Sequence, residues 1–206
     1  MELGGAVEHL KAGGVLAYPT ETVYGFGSLC TAEGLEALTR LKPREPGKPF
    51  LVLAPSAASL SDLEWSQEAK ELASIFWPGA VTLVLRDPSS VFPTGIRSEA
   101  GAVAVRVSPH PVVVALMQAG GVAITSTSAN APGQPPAQTG DDASRAAASL
   151  GGAGDVMVLD AGTLPPSGPS TLVDCTGPSA RVLREGTVPI ARLRCALPQI
   201  DDACHG

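Results

Sequence analysis

The sequence predicts an α/β fold: a twisted, open sheet of mixed strand direction with helices packed outside it. Three observations predict it. Short apolar runs alternate with segments whose apolar residues recur at helical spacing. The alternation departs from a strict βαβ repeat, and two connections read as hairpins or irregular crossings, so the strands cannot all be parallel. The helical segments carry capping residues at their starts or Gly and Pro at their ends.

Residues 3 to 12 read as a helix, with Leu3, Val7 and Leu10 on one face and Gly13-Gly14 as the stop. Val15 to Tyr18 is an apolar strand that ends or bulges at Pro19, which has no N–H to donate. Thr22 to Gly27 reads as a second strand, expected to pair with a neighbour other than the first. Thr31 caps a helix to Leu41, with Leu35, Leu38 and Leu41 on one side. Phe50 to Leu53 is a strand. Ser56 and Ser66 suit the N-caps of two further helices; the second carries Ala69, Leu72, Ala73 and Phe76 and stops at Trp77-Pro78-Gly79. Ala80–Leu85 and Ala102–Val107 are strands. Pro111 suits the first turn of a helix that ends near Gly120-Gly121. Val122 to Thr125 reads as a strand, 132–136 as a loop, and Thr139 with Asp142 as a capping box for a helix to Leu150. Val156–Leu159 and Arg181–Leu183 complete the strands. The Gly- and Pro-rich stretch 162–170 is expected to be mobile, and the tail from Arg194 to fray.

Bulk properties narrow the function. At 206 residues the chain has room for one sizeable core, and no internal repeat or second domain is visible. No run approaches the roughly 18 apolar residues of a membrane helix. Glu2 and Glu8 stand where a signal peptide would be basic, so a cytoplasmic location without membrane contact is expected. The four cysteines form no CxxC pair and the three histidines are scattered, which argues against a metal centre built from them. The net charge of −6 disfavours non-specific nucleic-acid binding. Several cations nevertheless fall inside the motif segments, as an anionic small ligand would require.

Three segments and the separate residues Arg106, Ser170 and Arg184 carry that chemistry. Tyr18-Pro19-Thr20-Glu21-Thr22-Val23-Tyr24-Gly25-Phe26-Gly27 delivers the hydroxyls of Thr20 and Thr22 to a strand end, with glycines that permit close backbone approach. Lys42-Pro43-Arg44-Glu45-Pro46-Gly47-Lys48-Pro49 places three cations within seven residues, a spacing suited to a polyphosphate. Favourable cations at a helix C-terminus account for it equally well. It is neither a Walker loop nor a dinucleotide fingerprint. Ser126-Thr127-Ser128-Ala129-Asn130 crowds hydroxyls and an amide at a strand end, where open sheets bind ligands and where turns use the same residues. Ser170 and Arg184 follow near the last strands. Arg106 sits in an apolar strand and must be paired or face a cavity. Glu21 is the nearest acid to the first segment, with metal binding or a plain loop role both open. No Ser-His-Asp set, HExxH or carboxylate pair is legible, so a reaction here needs a substrate that brings its own nucleophile.

Taken in order, these segments resemble the YrdC/Sua5/TsaC family, together with Trp77-Pro78-Gly79 and Thr82-Leu83-Val84-Leu85, Val103-Ala104-Val105-Arg106 with His110-Pro111, Gly168-Pro169-Ser170-Thr171 and Leu183-Arg184-Glu185-Gly186. The resemblance covers roughly residues 3–188. It implies a catalytic domain over 1–190 with a short tail at 191–206, and a concave basic cavity on an open α/β sheet. It implies an L-threonylcarbamoyladenylate synthase, a nucleotidyltransferase that joins L-threonine, bicarbonate (or CO2) and ATP with Mg²⁺ and releases pyrophosphate. A partner transferase then passes the group to an adenosine of tRNAs that read codons beginning with A. By position, Thr22 would contact threonine with Thr20 as a neighbouring wall, Arg106 would pair with its carboxylate, and Ser170 would touch it. Arg44 and Lys48, helped by Lys42, would hold the ATP phosphates. Ser126 and Ser128 would line the meeting point of the substrates, Asn130 would steady that loop, and Arg184 would contact the nucleotide. Many archaeal and longer members carry a histidine where this chain has Leu53, so the resemblance implies that one threonine contact of those members is missing or replaced. The rival readings are an RNA-binding module without chemistry, or the related domain of the hydrogenase-maturation carbamoyltransferase.

Overall fold

A computed structural model describes residues 3–43 and 48–203. In chain order its elements are α1 (Leu3–Lys11), β1 (Val15–Pro19), β2 (Tyr24–Gly27), α2 (Ala32–Leu41), β3 (Leu51–Leu53), a 3-10 turn (Ala57–Leu60), α3 (Gln67–Phe76), β4 (Val81–Arg86), β5 (Ala102–Arg106), α4 (Pro111–Gly120), β6 (Ile124–Ser128), α5 (Gly140–Ser149), β7 (Val156–Val158), β8 (Thr171–Asp174), β9 (Arg181–Arg184), α6 (Ile190–Ala196) and β10 (Asp201–Asp202). The strands form one sheet in the order β10-β9-β8-β4-β5-β3-β6-β2-β1-β7. Parallel pairs such as β3 with β5 and β4 with β8 alternate with antiparallel ones such as β4 with β5 and β2 with β6, the expected mixed sheet.

The caps read from the sequence hold. The side chains of Thr31, Ser66 and Thr139 accept from the backbone N–H groups of Gly34, Ala69 and Asp142, satisfying donors that a helix start leaves orphaned. Ser56 also caps, but only the single 3-10 turn.

Side-chain alternation then divides the sheet into two faces. Val15 and Ala17, Val52, Val81 and Leu83, and Val103 and Val105 point into the larger core under α2, α3, α5 and α6. Leu16, Tyr18, Leu53 and Ile124 point the other way into a smaller core under α1 and α4. Those two helices cover the β1 end of that face. Farther along, Ala104 and Arg106 of β5 and Thr82 of β4 line an open cavity instead.

Four expectations change. β2 does pair with β1, antiparallel from Leu16–Gly27 to Pro19–Tyr24, as well as with β6. The reason is a turn at Thr20, whose N–H donates to Val23 O at 3.2 Å, folding the two strands into a hairpin. β6 starts at Ile124, not at Val122, which is exposed, and it runs through Ser126 to Ser128. The hydroxyl motif therefore lies within the strand. Left-handed Gly121 (φ 66°) closes α4, and Val122-Ala123 span the gap to the sheet. Thr171–Asp174 forms a strand that its sequence context did not announce. Finally, the tail expected to fray is folded: α6 packs against the larger core through Ile190 and Leu193, Leu197 and Ile200 are buried, and β10 adds to β9 in parallel. Apolar residues at 190, 193, 197 and 200 pay the ordering entropy that a polar tail could not.

Leu193 is fully buried. Leu193→Ala should therefore lower unfolding free energy by about 2–5 kcal/mol in urea titration. A loss below about 0.5 kcal/mol, the size of a surface substitution, would mean that this helix is not part of the cooperative core.

Candidate functional site

The open part of the second face is a cavity of about 490 Å³. Adjacent strands each contribute to its floor: Arg184 from β9, Leu172 from β8, Thr82 from β4, Arg106 from β5, Leu51 from β3, and Ser126 and Ser128 from β6. Thr22 and Ser170, on the segments leading into β2 and β8, stand at its walls.

The hairpin turn shapes one wall. Thr20 Oγ1 accepts from the N–H groups of Thr22 (3.2 Å) and Val23 (3.3 Å), donates to Val23 O (2.8 Å), and lies 2.9 Å from Thr22 Oγ1. The Thr20 hydroxyl is thus committed to the turn that presents Thr22, and Thr20 does not itself line the cavity. Behind this wall, Gly27 lies so close to β6 that a Cβ would stand 2.0 Å from Thr125 O and 2.8 Å from Tyr18 Oη. The close approach foreseen for the glycines is to a neighbouring strand. Tyr18 donates to Thr125 O at 2.9 Å, and burial raises its pKa well above the usual phenol value.

The opposite wall rests on a second glycine. A Cβ on Gly186 would meet Pro169 O at 2.2 Å and the carbonyl carbon of Ser170 at 2.6 Å. Its N–H donates to Thr171 Oγ1 at 2.9 Å, locking the end of β9 onto the start of β8. Arg184 Nη2 donates to Ser170 O at 2.8 Å, and Ser170 Oγ lies 2.8 Å from Thr82 Oγ1. Thr82 is a site residue that its sequence motif carried without a role. Its one signal was a hydroxyl placed among the apolar residues of β4.

Arg106 is buried at the floor, 3% exposed. The sequence left pairing and cavity-facing as alternatives, and the structure has both. Nη1 lies 3.3 Å from Glu21 Oε1, while Nε has no hydrogen-bond partner. Burial lowers the Arg106 pKa, and the Glu21 carboxylate and Tyr18 work against that shift. Arg184 is lowered too, by burial first and then by the Arg106 cation. Ser108 Oγ donates to Glu21 Oε2 at 2.5 Å and accepts from His110 N at 3.2 Å. Neither Glu21 nor Ser108 was singled out as a support for Arg106, because the contact joins residues 87 positions apart.

Lys42 Nζ donates to Ser128 O (2.5 Å), Ser128 Oγ (3.2 Å) and Asn130 Oδ1 (2.6 Å), and Asn130 Nδ2 donates to Gln134 O at 2.6 Å. These bonds tie the end of α2 to the loop after β6. Lys48 is exposed beside Pro49, a cavity residue, and Arg44 lies outside the described residues. Leu53 is fully buried in the smaller core, away from the cavity. The 162–170 stretch has no helix or strand, but Gly162 O accepts from Tyr24 Oη (2.8 Å) and Leu164 N donates to Gln138 O (2.8 Å). Among the described residues, no three His, Cys, Asp or Glu converge as a metal cage, and Glu21 is already engaged by Arg106 and Ser108. No helix among the described residues is long and apolar enough to cross a membrane.

Guanidinium groups and hydroxyls on the uncovered face of an open α/β sheet are the chemistry that a small anionic ligand would require. A family model described as telomere recombination, Sua5/YciO/YrdC, matches residues 8–186, and the chain belongs to that family. It is 42% identical over 133 residues, 63% of this chain and 68% of the relative, to the threonylcarbamoyl-AMP synthase of Alkalilimnicola ehrlichii. A Mycobacterium tuberculosis protein is 38% identical over 193 residues, covering 91% of this chain and 85% of its own length. The crystal structure of P. abyssi Sua5 complexed with L-threonine matches with a TM-score of 0.88 at 28% identity, over 97% of this chain. The present chain spans 58% of that Sua5 chain.

His110 supplies a pH test of the floor. Burial lowers its pKa, partly offset by Glu21, and its Nδ1 accepts from Val112 N at the start of α4. The folded state therefore binds fewer protons than the unfolded state below the ordinary value of about 6.5. Stability should be fully present above that pH and decline as pH falls through it. His110→Asn, which keeps a capping acceptor, should flatten that part of the stability–pH curve measured by denaturant titration. Identical curves for the two proteins would contradict the assignment.

Proposed function

We propose that this protein is a threonylcarbamoyl-AMP synthase: it joins L-threonine, CO2 from bicarbonate, and ATP, and releases pyrophosphate, which makes it a nucleotidyltransferase. The observation that carries the reading is Arg106, a buried guanidinium at the floor of a hydroxyl-lined cavity whose nearest carboxylate, Glu21, only approaches Nη1. An amino-acid carboxylate fits such a group through charge-assisted hydrogen bonds. Thr22 and Ser170 then bracket the amino acid, and Ser126 and Ser128 line its approach to the nucleotide. The name of the A. ehrlichii relative and the threonine bound to P. abyssi Sua5 support the same choice.

The α-amine of threonine attacks the carbon of CO2 and loses a proton, giving a carbamate. A carbamate oxygen attacks the α-phosphorus of ATP, the bond to the bridging oxygen breaks, and pyrophosphate departs. Neither step needs a protein nucleophile. The protein's contribution is to fix the carboxylate on Arg106 so that the carbamate oxygen, the α-phosphorus and the leaving pyrophosphate oxygen lie in line, and to place cations where charge develops. Arg184 faces the nucleotide, and Arg44 and Lys48 grip its phosphates. Lys42 acts one step back, holding Ser128 and Asn130. Mg²⁺ would be held chiefly by the ATP phosphates, beside Arg44 and Lys48, and would supply charge neutralisation there. The product is then consumed by a separate transferase acting on tRNA, in the cytoplasm. The net charge of −6 favours a small-molecule site over direct RNA binding.

Mass spectrometry of reactions lacking each substrate in turn tests the reading. Threonylcarbamoyl-AMP should form only with threonine, bicarbonate and ATP all present, and a product made without threonine would overturn it. Arg106→Ala should raise the threonine KM roughly 10- to 150-fold, as expected for losing a charged hydrogen-bond pair, and leave the ATP KM within about twofold. An unchanged threonine KM would remove Arg106 from the amino-acid site.

A further inference from the structure

Glu21 and Ser108 lie outside the cavity lining, yet they are the groups through which Arg106 is held. The Arg106 guanidinium has a carboxylate 3.3 Å from Nη1, and its Nε is unpartnered. Glu21 Oε1 makes no hydrogen bond, while Oε2 accepts the Ser108 hydroxyl at 2.5 Å. Ser108 in turn is fixed by the His110 N–H at the start of α4. The chain of contact runs from a helix start, through a buried serine and a carboxylate, to a buried cation.

The division of labour between the two carboxylate oxygens matters. A carboxylate in bidentate contact would use up the guanidinium fork and leave little for a ligand. Here one oxygen is anchored to Ser108 and the other only approaches Nη1, so the negative charge offsets the cost of the buried cation without consuming its donors. Tyr18 and Arg184 are the other charged or titratable groups acting on Arg106, and neither supplies a full counter-charge.

We propose that Glu21, anchored by Ser108, is a positioning residue that holds the Arg106 guanidinium open toward the cavity and thereby sets affinity for the carboxylate of the amino-acid substrate. This rests on the function proposed above, and it assigns the acid of the Pro19-Thr20-Glu21-Thr22 turn a role distinct from substrate contact or metal binding.

The test combines kinetics with a direct view of the guanidinium. In Glu21→Gln the threonine KM should rise roughly tenfold, the scale of a lost charge-assisted contact, with kcat and the ATP KM changed less than about twofold. Ser108→Ala should move the threonine KM the same way by a smaller factor, and the double variant should be no worse than Glu21→Gln, because Ser108 acts through Glu21. The Arg106 Nε–Hε resonance in 15N NMR should be sharp in the parent and broadened or shifted in both single variants. Threonine and ATP KM values rising together, effects that multiply in the double variant, or an unmoved Arg106 resonance would each overturn the proposal. Arg106→Ala separates the two readings. If it raises the threonine KM while Glu21→Gln and Ser108→Ala do not, this inference alone falls. If it leaves threonine unaffected, the amino-acid site itself is misplaced, and the NMR outcome still decides whether Glu21 and Ser108 position the guanidinium.

Discussion

The structure depends on keeping one positive charge buried in a sheet. Removing a guanidinium from water costs several kcal/mol even after the protein relaxes. Arg106 bears that cost on β5, between Val105 of the larger core and the cavity. Glu21 supplies the opposing charge, and its hairpin turn is held by Thr20. Replacing the pair with apolar residues would be the easier route to stability alone. Its presence at the floor of a cavity lined by Thr22, Thr82, Ser126 and Ser170 is what a polar anion facing the guanidinium would require.

Much of the architecture works to leave that floor uncovered. α2, α3, α5 and α6 occupy one side of the sheet, while α1 and α4 reach only the strands near Leu16, Leu53 and Ile124. Alternation does the rest: along β5 the valines go to the core, and Ala104 and Arg106 go to the cavity. Gly27 and Gly186 permit two backbone approaches that no side chain would allow, so the Thr22 and Ser170 walls close on the floor from opposite ends. Lys42 then ties α2 to the Ser128–Asn130 loop, converting a helix C-terminal cation into a brace.

The legible part of this arrangement was local. Thr31, Ser66 and Thr139 announced helices because a cap acts on backbone two or three residues away. The strand carrying Arg106 was legible because a cation in an apolar run has few explanations. What stayed hidden depends on pairings distant in sequence. The hydroxyl of Thr82 gained meaning only beside Ser170, and the carboxylate of Glu21 only beside Arg106 and Ser108. The short strand Thr171–Asp174 needs β4 and β9 on either side. The tail looked polar because its apolar residues are spaced among arginines, and only α3 and the sheet beneath them make that spacing a buried face. The ordered motifs nonetheless pointed to the right family, and several of them place residues of different strands around the same cavity.

The central claim is that the buried Arg106 is the anchor for an amino-acid carboxylate. Calorimetric titration with L-threonine and with L-threoninol, which keeps the amine and hydroxyl but lacks the carboxylate, tests it most directly. The account predicts measurable threonine binding and at least roughly tenfold weaker binding of threoninol. Equal affinity for the two would contradict it.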